Sequence, residues 1–429
     1  MQFHLLSFEG PDPYARAGGL ASRVEGLASA LAGLGFETHL WFVGDPAAPG
    51  HEARGRLVLH RWCQWLSAGC PAGVYQGEDA KCEDYARSLP PWLWAHHLRR
   101  HLEAGGRAVV LAEEWQTAKA LVHLDALARD AGRRDRVTLL WNANNTFGFH
   151  RIPWRALGSA AVITTVSRYM KGCLLSLGVD SIVVPNGLSA DAFDPPDGRA
   201  VAELRRRFRD RAVLVKMARF DPDKRWLLAV HTVAELKRQG WRPLLVARGG
   251  SEPHGADVLA TARALGLRVA ARRAPAPGVE GLLAALHHVD AADVVQLESF
   301  VDPAARRTLF RAADTVLANS GHEPFGLVGL EAMAAGGLAC TGGSGEDYAL
   351  AGRNARVLQS GDPREFVGLY RRLRERPAEA RRIRRAGRAT ARSYAWNEVL
   401  RHEVLPRVDI DHAAARAEIP PAADPRSFT

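Results

Sequence analysis

Short apolar runs of strand length alternate with longer amphipathic stretches along nearly the whole sequence, and this alternation restricts the chain to βαβ units built on parallel sheets. The first unit runs from "FHLLSF" through the loop "EGPDPYARAGG" into an amphipathic stretch at "LASRVEGLASALAGLG" and on to "THLWFV". Further strand-like runs in the first half are "LVLHRW", "RAVVLA", "VTLLWN", "AVITTVS" and "SIVVPN". The segment "GLSADAFDPPDGRA" breaks the pattern as a linker would. A second series follows, with "AVLVKMARF", "PLLVARGG", "RVAARRA", "DVVQLESF", "DTVLANS" and "LACTGG".

The expected fold class is α/β, with two tandem Rossmann-like, doubly wound domains facing a central crevice. Residues 1–188 form the first domain, 189–211 the linker and 212–392 the second domain. Residues 393–410 form a terminal helix packing back toward the first domain, and 411–429 a mobile tail. At 429 residues the chain is too long for one core, which agrees with two. Ligands of open α/β sheets lie beyond the carboxyl ends of the strands, so the loops there are the ones to search.

Composition narrows the function classes. No apolar run approaches the ~20 residues of a membrane helix, and the first residues lack a secretory pattern. The five cysteines are odd in number and have no zinc-like spacing. A cytoplasmic protein with reduced thiols is expected. The net charge of +10 comes largely from arginines in "YRRLRERPAEARRIRRAGRATARS", where glutamates are interspersed at helical spacing. That pattern reads as a solvated helix face, so no nucleic-acid partner is expected.

Four loops at strand ends are suited to a diphosphate. In "ARAGGL", Gly18 and Gly19 sit between a strand and a helix, where backbone amides can approach an anion. In "ARFDPDKR", Arg219 and Lys224 are five residues apart across a turn and can close on one anionic group. In "EPFGLVGLE", Pro324 suits a first helical position, so the amides of Phe325, Gly326 and Leu327 should face a ligand. On one continuous helix Glu323 and Glu331 would stand about 12 Å apart along the axis, with roughly 80° between them. That spacing suits hydroxyl contacts at two ends of a long polyol ligand. The fourth loop, "TGGSGEDYA", presents Gly342, Gly343 and Gly345.

Taken together, "GGLA", "TTVSRYMK", "VVPNG", "ARFDPDKR", "EPFGLVGLE" and "TGG" resemble the retaining nucleotide-sugar glycosyltransferases with the GT-B fold, in particular family 4 and its glycogen-synthase relatives. The resemblance implies a hexosyltransferase, with UDP-glucose the favoured donor, ADP- or GDP-sugars open, and an unidentified hydroxyl acceptor. Arg219, Lys224 and Glu323 would form the catalytic group, with no metal and no other cofactor. Gly18, Gly19, Gly249, Gly326, Leu327 and Glu331 would bind the donor, Glu331 through its ribose. The diphosphate would leave and itself take the acceptor proton. A covalent glycosyl-Glu323 intermediate is the alternative route.

Where many relatives carry a histidine near the donor sugar, this chain has "LLWNANNTFGFH", which puts Asn144 and Asn145 there. "EEWQTA" resembles an acceptor-side loop, with Glu114 and Trp115 as acceptor contacts. Competing readings are a non-catalytic nucleotide-sugar binder and a nucleotide-sugar epimerase of the same build.

Overall fold

The computed structural model describes residues 1–408. The described residues divide into two compact units, the first made of Met1–Gly187 with 396–408, the second of Leu188–Ala395. The segment expected as a linker, 189–211, holds the helix Gly198–Arg207 and belongs to the second unit. Asp197 caps that helix by accepting from the amides of Arg199 and Ala200. The tail 411–429 lies outside the described residues.

The first unit contains β1 (Gln2–Leu6), β2 (Glu37–Val43), β3 (His51–Arg54), β4 (Leu57–Trp62), β5 (Ala108–Glu113), β6 (Val137–Ala143), β7 (Val162–Thr165) and β8 (Ile182–Val183). They form one sheet in the order β3-β4-β2-β1-β5-β6-β7-β8. All pairings are parallel except that of β3 with β4. "HEAR" in β3 has no apolar alternation and is largely exposed, so an edge strand of this kind leaves no periodic trace. The central strands are apolar without alternation because both faces of a parallel sheet are covered.

The second unit contains β9 (Ala212–Met217), β10 (Pro243–Arg248), β11 (Val269–Arg272), β12 (Val294–Leu297), β13 (Thr315–Ala318), β14 (Ala339–Thr341) and β15 (Arg356–Val357). Its order is β11-β12-β10-β9-β13-β14-β15, all parallel. β15, two residues long, carries no sequence signal of its own.

In each sheet the winding direction reverses once, beside β1 in the first and beside β9 in the second. The loops after β1 and β5 therefore diverge at one switch point, and those after β9 and β13 at the other, which opens a crevice at the strand ends. The end of the described chain completes the first core. Trp396, Leu400 and Val404 pack with Leu27, Leu59 and Val184. A Cβ on Gly187 would fall 2.3 Å from the Trp396 ring, so this contact requires glycine.

The first sheet also buries imidazoles. His39 Nδ1 lies 2.9 Å from His60 Nε2, and His60 Nδ1 lies 2.8 Å from His51 Nδ1. His4 stacks on His39, Trp41 stacks on His60 with 3.7 Å between centroids, and His97 meets the group edge-on. Burial first, then mutual repulsion, pushes the pKa of His60 far down and that of His97 down to about 4. His4 is lowered for the same reasons and His39 by burial. The unfolded chain protonates these rings near pH 6.5 while the folded one resists. Stability is therefore full above that pH and falls as pH drops below it, by up to about 1.4 kcal/mol per pH unit for each such ring. Denaturant midpoints followed by tryptophan fluorescence should fall steeply between pH 7 and pH 5. An unchanged midpoint would contradict the neutral cluster.

Candidate active site

At the switch point of the second unit, β9 ends in the loop carrying Arg219 and Lys224. Asp221 accepts from the amide of Asp223 and folds Pro222–Lys224 into a 3-10 turn, after which Arg225, at φ 51°, turns the chain into the helix Trp226–Arg238. β13 is followed by Asn319, Ser320 and Gly321, and the Gly321 amide donates to the Asp223 carbonyl at 2.7 Å. That bond ties the two loops together. Lys224 Nζ then meets Glu323 Oε2 at 2.6 Å, with both side chains about four-fifths buried. Arg219 is exposed and makes no ion pair among the described residues. The nearby Glu252, held low chiefly by accepting the Phe220 amide, feels its charge.

The geometry corrects several sequence expectations. The helix begins at Leu327 with Gly326 as its cap, so Pro324 is not its first residue, while Glu323 precedes the helix as the sequence implies. The separation estimated for one continuous helix does not apply. The Leu327 amide donates to the Phe325 carbonyl at 3.1 Å rather than outward. A Cβ on Gly326 would lie 2.8 Å from Glu346 Cγ, so glycine is needed there for a side chain of the protein itself. Gly249 likewise makes room for the Phe220 ring, 2.1 Å from its would-be Cβ. Glu331 pairs with Arg306 at 3.0 Å.

Glu346, within the quoted "TGGSGEDYA", is the residue that sequence reasoning passed over. It is buried, and among the described residues neither carboxylate oxygen has a hydrogen-bond partner. The amides of Ser344 and of Glu346 itself lie near enough to favour its charged form without making a hydrogen bond of normal geometry. Burial, with Glu323 adding repulsion, raises its pKa to about 7. Beneath the same loops, burial followed by repulsion from Lys224 lowers the fully buried Lys216 to about 7. Its Nζ donates to Asn319 Oδ1 at 3.0 Å. A glycine facing an acid across two loops is the pairing that only three-dimensional structure reveals.

In the first unit, the loop after β1 leads to the helix Gly19–Gly33. Part of this helix start is already occupied, since Glu9 Oε2 accepts from the amides of Ala17, Gly18 and Ala21 at 3.0 to 3.3 Å. Glu9 Oε1 accepts from the Tyr75 hydroxyl at 2.6 Å. A Cβ on Gly19 would meet nothing within 4 Å, and one on Gly18 only Glu9 at 3.8 Å. Internal packing thus does not demand glycine at either position.

After β5 and β6, Glu113 accepts from both Asn142 and Asn144 Nδ2 and from Arg23, whose guanidinium also reaches Asn186. Glu114 sits at φ 67°, ψ 168°, a conformation hostile to a side chain, and its carboxylate accepts the Asn144 amide at 2.8 Å. Burial, partly offset by that bond, raises its pKa to about 8. Asn145 accepts from the Phe147 amide and leaves the Phe147 ring exposed. Trp115, read from the sequence as an acceptor contact, packs inside the unit. It is buried, with Arg151 3.9 Å over its ring and Gly148 packed against it.

Similarity to known proteins agrees with this architecture. The sequence matches Glycosyltransferase Family 4 over residues 17–192 and Glycosyl transferases group 1 over residues 203–390. It is 30% identical over 220 residues to a D-inositol 3-phosphate glycosyltransferase of Streptomyces avermitilis, covering 50% of this chain and 44% of the relative. A protein of the same name from Kineococcus radiotolerans is 30% identical over 268 residues, covering 57% and 54%. The matched segments thus span about half the length of these curated relatives.

Among solved structures, sucrose-phosphate synthase from Thermosynechococcus elongatus superposes with a TM-score of 0.61 at 19% identity, covering 93% of this chain and 96% of that one. The catalytic domain of starch synthase IV from Arabidopsis thaliana, bound to ADP and acarbose, gives 0.64 at 16%, covering 95% and 99%. HepE of Anabaena, in complex with UDP and glucose, gives 0.59 at 13%, covering 94% and 97%. At such identities the likeness is one of fold, and the fold is GT-B. With both successive family matches in place, the chain belongs to the family 4 GT-B glycosyltransferases.

The uncompensated Glu346 generates a prediction. Its folded pKa lies above the unfolded value near 4.3, so its contribution to stability is full below that value and is lost as pH rises through 7. Glu346→Gln should therefore raise the denaturant midpoint relative to the parent protein at pH 8 and not at pH 5. Equal shifts at both pH values would rule out a proton held by Glu346.

Proposed function

We propose that the chain is a retaining glycosyltransferase that moves a hexosyl group, glucosyl in the first instance, from a nucleoside-diphosphate sugar to a hydroxyl acceptor without a divalent metal. The carrying observation is the convergence of Lys224 and Glu323 at the β9/β13 switch point, with the uncommitted Arg219 on the adjoining loop. The ligands named for the structural relatives, ADP with acarbose and UDP with glucose, support a nucleotide-sugar donor. The inositol phosphate in the name of the curated relatives supports a polyol acceptor.

In this reading Arg219 grips the diphosphate as a fork and Lys224 as a point charge. Donor binding draws Lys224 from Glu323 toward phosphate and frees the Glu323 carboxylate to face the sugar. The bond from the anomeric carbon to the diphosphate oxygen breaks first. The two cations hold the departing charge, and the positive charge growing on the sugar is stabilised by Glu323. The acceptor hydroxyl forms its bond on the same face and gives its proton to the departing phosphate oxygen. Glu331 would exchange its Arg306 partner for ribose hydroxyls. In the first unit, Glu114, Asn144 and the exposed Phe147 are the acceptor-side groups.

A non-catalytic nucleotide-sugar binder is the second reading, favoured by one observation: Glu113 holds Asn144 Nδ2 at 2.7 Å where relatives carry an imidazole. Calorimetry with UDP, ADP, GDP and TDP in metal-free buffer, then turnover with the cognate sugar nucleotide, separates the two. Arg219→Ala and Lys224→Ala should each lower kcat/KM at least tenfold with unchanged melting, since loss of one group stabilising a developing anion costs about 2.7 to 4 kcal/mol. Full activity in both variants would remove the mechanism. Glu331→Ala should weaken nucleotide affinity; unaltered affinity would dismiss the ribose contact.

A further inference from the structure

At the opposite edge of the second sheet, the N-terminal ends of β9 and β13 border a cleft of about 380 Å³. β9 is six residues long, which sets this cleft about 20 Å from the loop carrying Arg219. Phe208, Val213 and Leu309 contribute apolar surface to its lining. Five arginines line it as well, Arg205, Arg209, Arg211, Arg374 and Arg384, against the single carboxylate of Asp314.

The positive charge there is oriented and only partly neutralised. Arg384 donates to the carbonyls of Ala313 and Asp314 at 2.8 and 3.0 Å, and Arg205 to that of Arg311 at 2.7 Å. Arg211 donates to the carbonyls of Val289, Asp290, Ala292 and Pro243. A carbonyl dipole fixes a guanidinium without cancelling its charge. Asp314 is already engaged, with Oδ2 accepting the Val213 amide and the Tyr370 hydroxyl at 3.0 Å each and Oδ1 3.8 Å from Arg374. Arg209 pairs with the exposed Asp210 at 3.4 Å. Burial, then repulsion from Arg205 and Arg311, lowers Arg384 to about 10, with Asp314 opposing the shift.

We propose that this cleft is a second anion site, separate from the loops at the carboxyl strand ends, and that its ligand is a small molecule bearing several phosphate charges. The exposed guanidinium groups of Arg205, Arg209 and Arg374, which line this cleft, are suited to planar, bidentate contacts with phosphate oxygens.

The test uses the full chain at fixed ionic strength with inorganic tripolyphosphate as the probe. Titration in an Arg219→Ala/Lys224→Ala background removes competition from the loops at the other end of the sheet, so the result does not depend on the activity proposed above. Saturable binding that is at least tenfold weaker after adding Arg205→Ala and Arg374→Ala, with unchanged melting of the unliganded protein, supports the site. Equal affinity with and without those two substitutions overturns it, as does failure of the background protein to bind. Should the multiple variant not fold, phenylglyoxal labelling of the parent chain decides. Tripolyphosphate must shield Arg205, Arg209 and Arg374 while leaving the exposed Arg238 and Arg401 reactive, and a lack of selective protection refutes the proposal.

Discussion

The parallel pairing of β9 with β13 is the constraint on which the second unit's chemistry rests. Thr315 and Val316 sit opposite Leu214 and Val215, strands more than a hundred residues apart in the chain. Because β10 lies on the other side of β9, the loops leaving β9 and β13 separate at the sheet's carboxyl edge. One backbone bond, from Gly321 to Asp223, bridges that divergence and holds Lys224 within reach of Glu323. The same pairing determines where the arginine cleft opens, since it forms at the opposite ends of the same two strands.

Both switch points use carboxylates in environments that oppose their ionisation. Glu114 is buried in a strained backbone conformation, and Glu346 is buried without a hydrogen-bond partner among the described residues. Such groups persist only where the surrounding structure fixes them, and they gather where binding or chemistry needs a proton or an oriented oxygen. Glu9 differs: three amides, that of Gly18 among them, and a tyrosine hydroxyl satisfy it.

The α/β class and nearly every strand could be read from the sequence because buried parallel strands are continuous apolar runs, unmistakable between amphipathic helices. β3 and β15 escaped, one polar at an edge and the other only two residues long. The loops holding Arg219, Lys224 and Glu323 were legible as motifs, yet their partners were not. Nothing in "EPFGLVGLE" tells that the helix waits until Leu327, or that Gly326 is small for the sake of Glu346. Gly249 and Trp115 taught the same lesson, since a glycine after a strand can serve a phenylalanine and a tryptophan in a loop can lie beneath an arginine.

The return of the chain to the first unit at Trp396 bears on how the protein is made. Trp396, Leu400 and Val404 belong to the core that Phe3 and Leu5 begin, yet they are joined to it only after the whole second unit has been synthesised. The first sheet thus emerges from the ribosome with a gap beside Gly187 and Leu27. Closure of the first core therefore waits for residues made after the second unit, whereas N-terminal domains usually mature first.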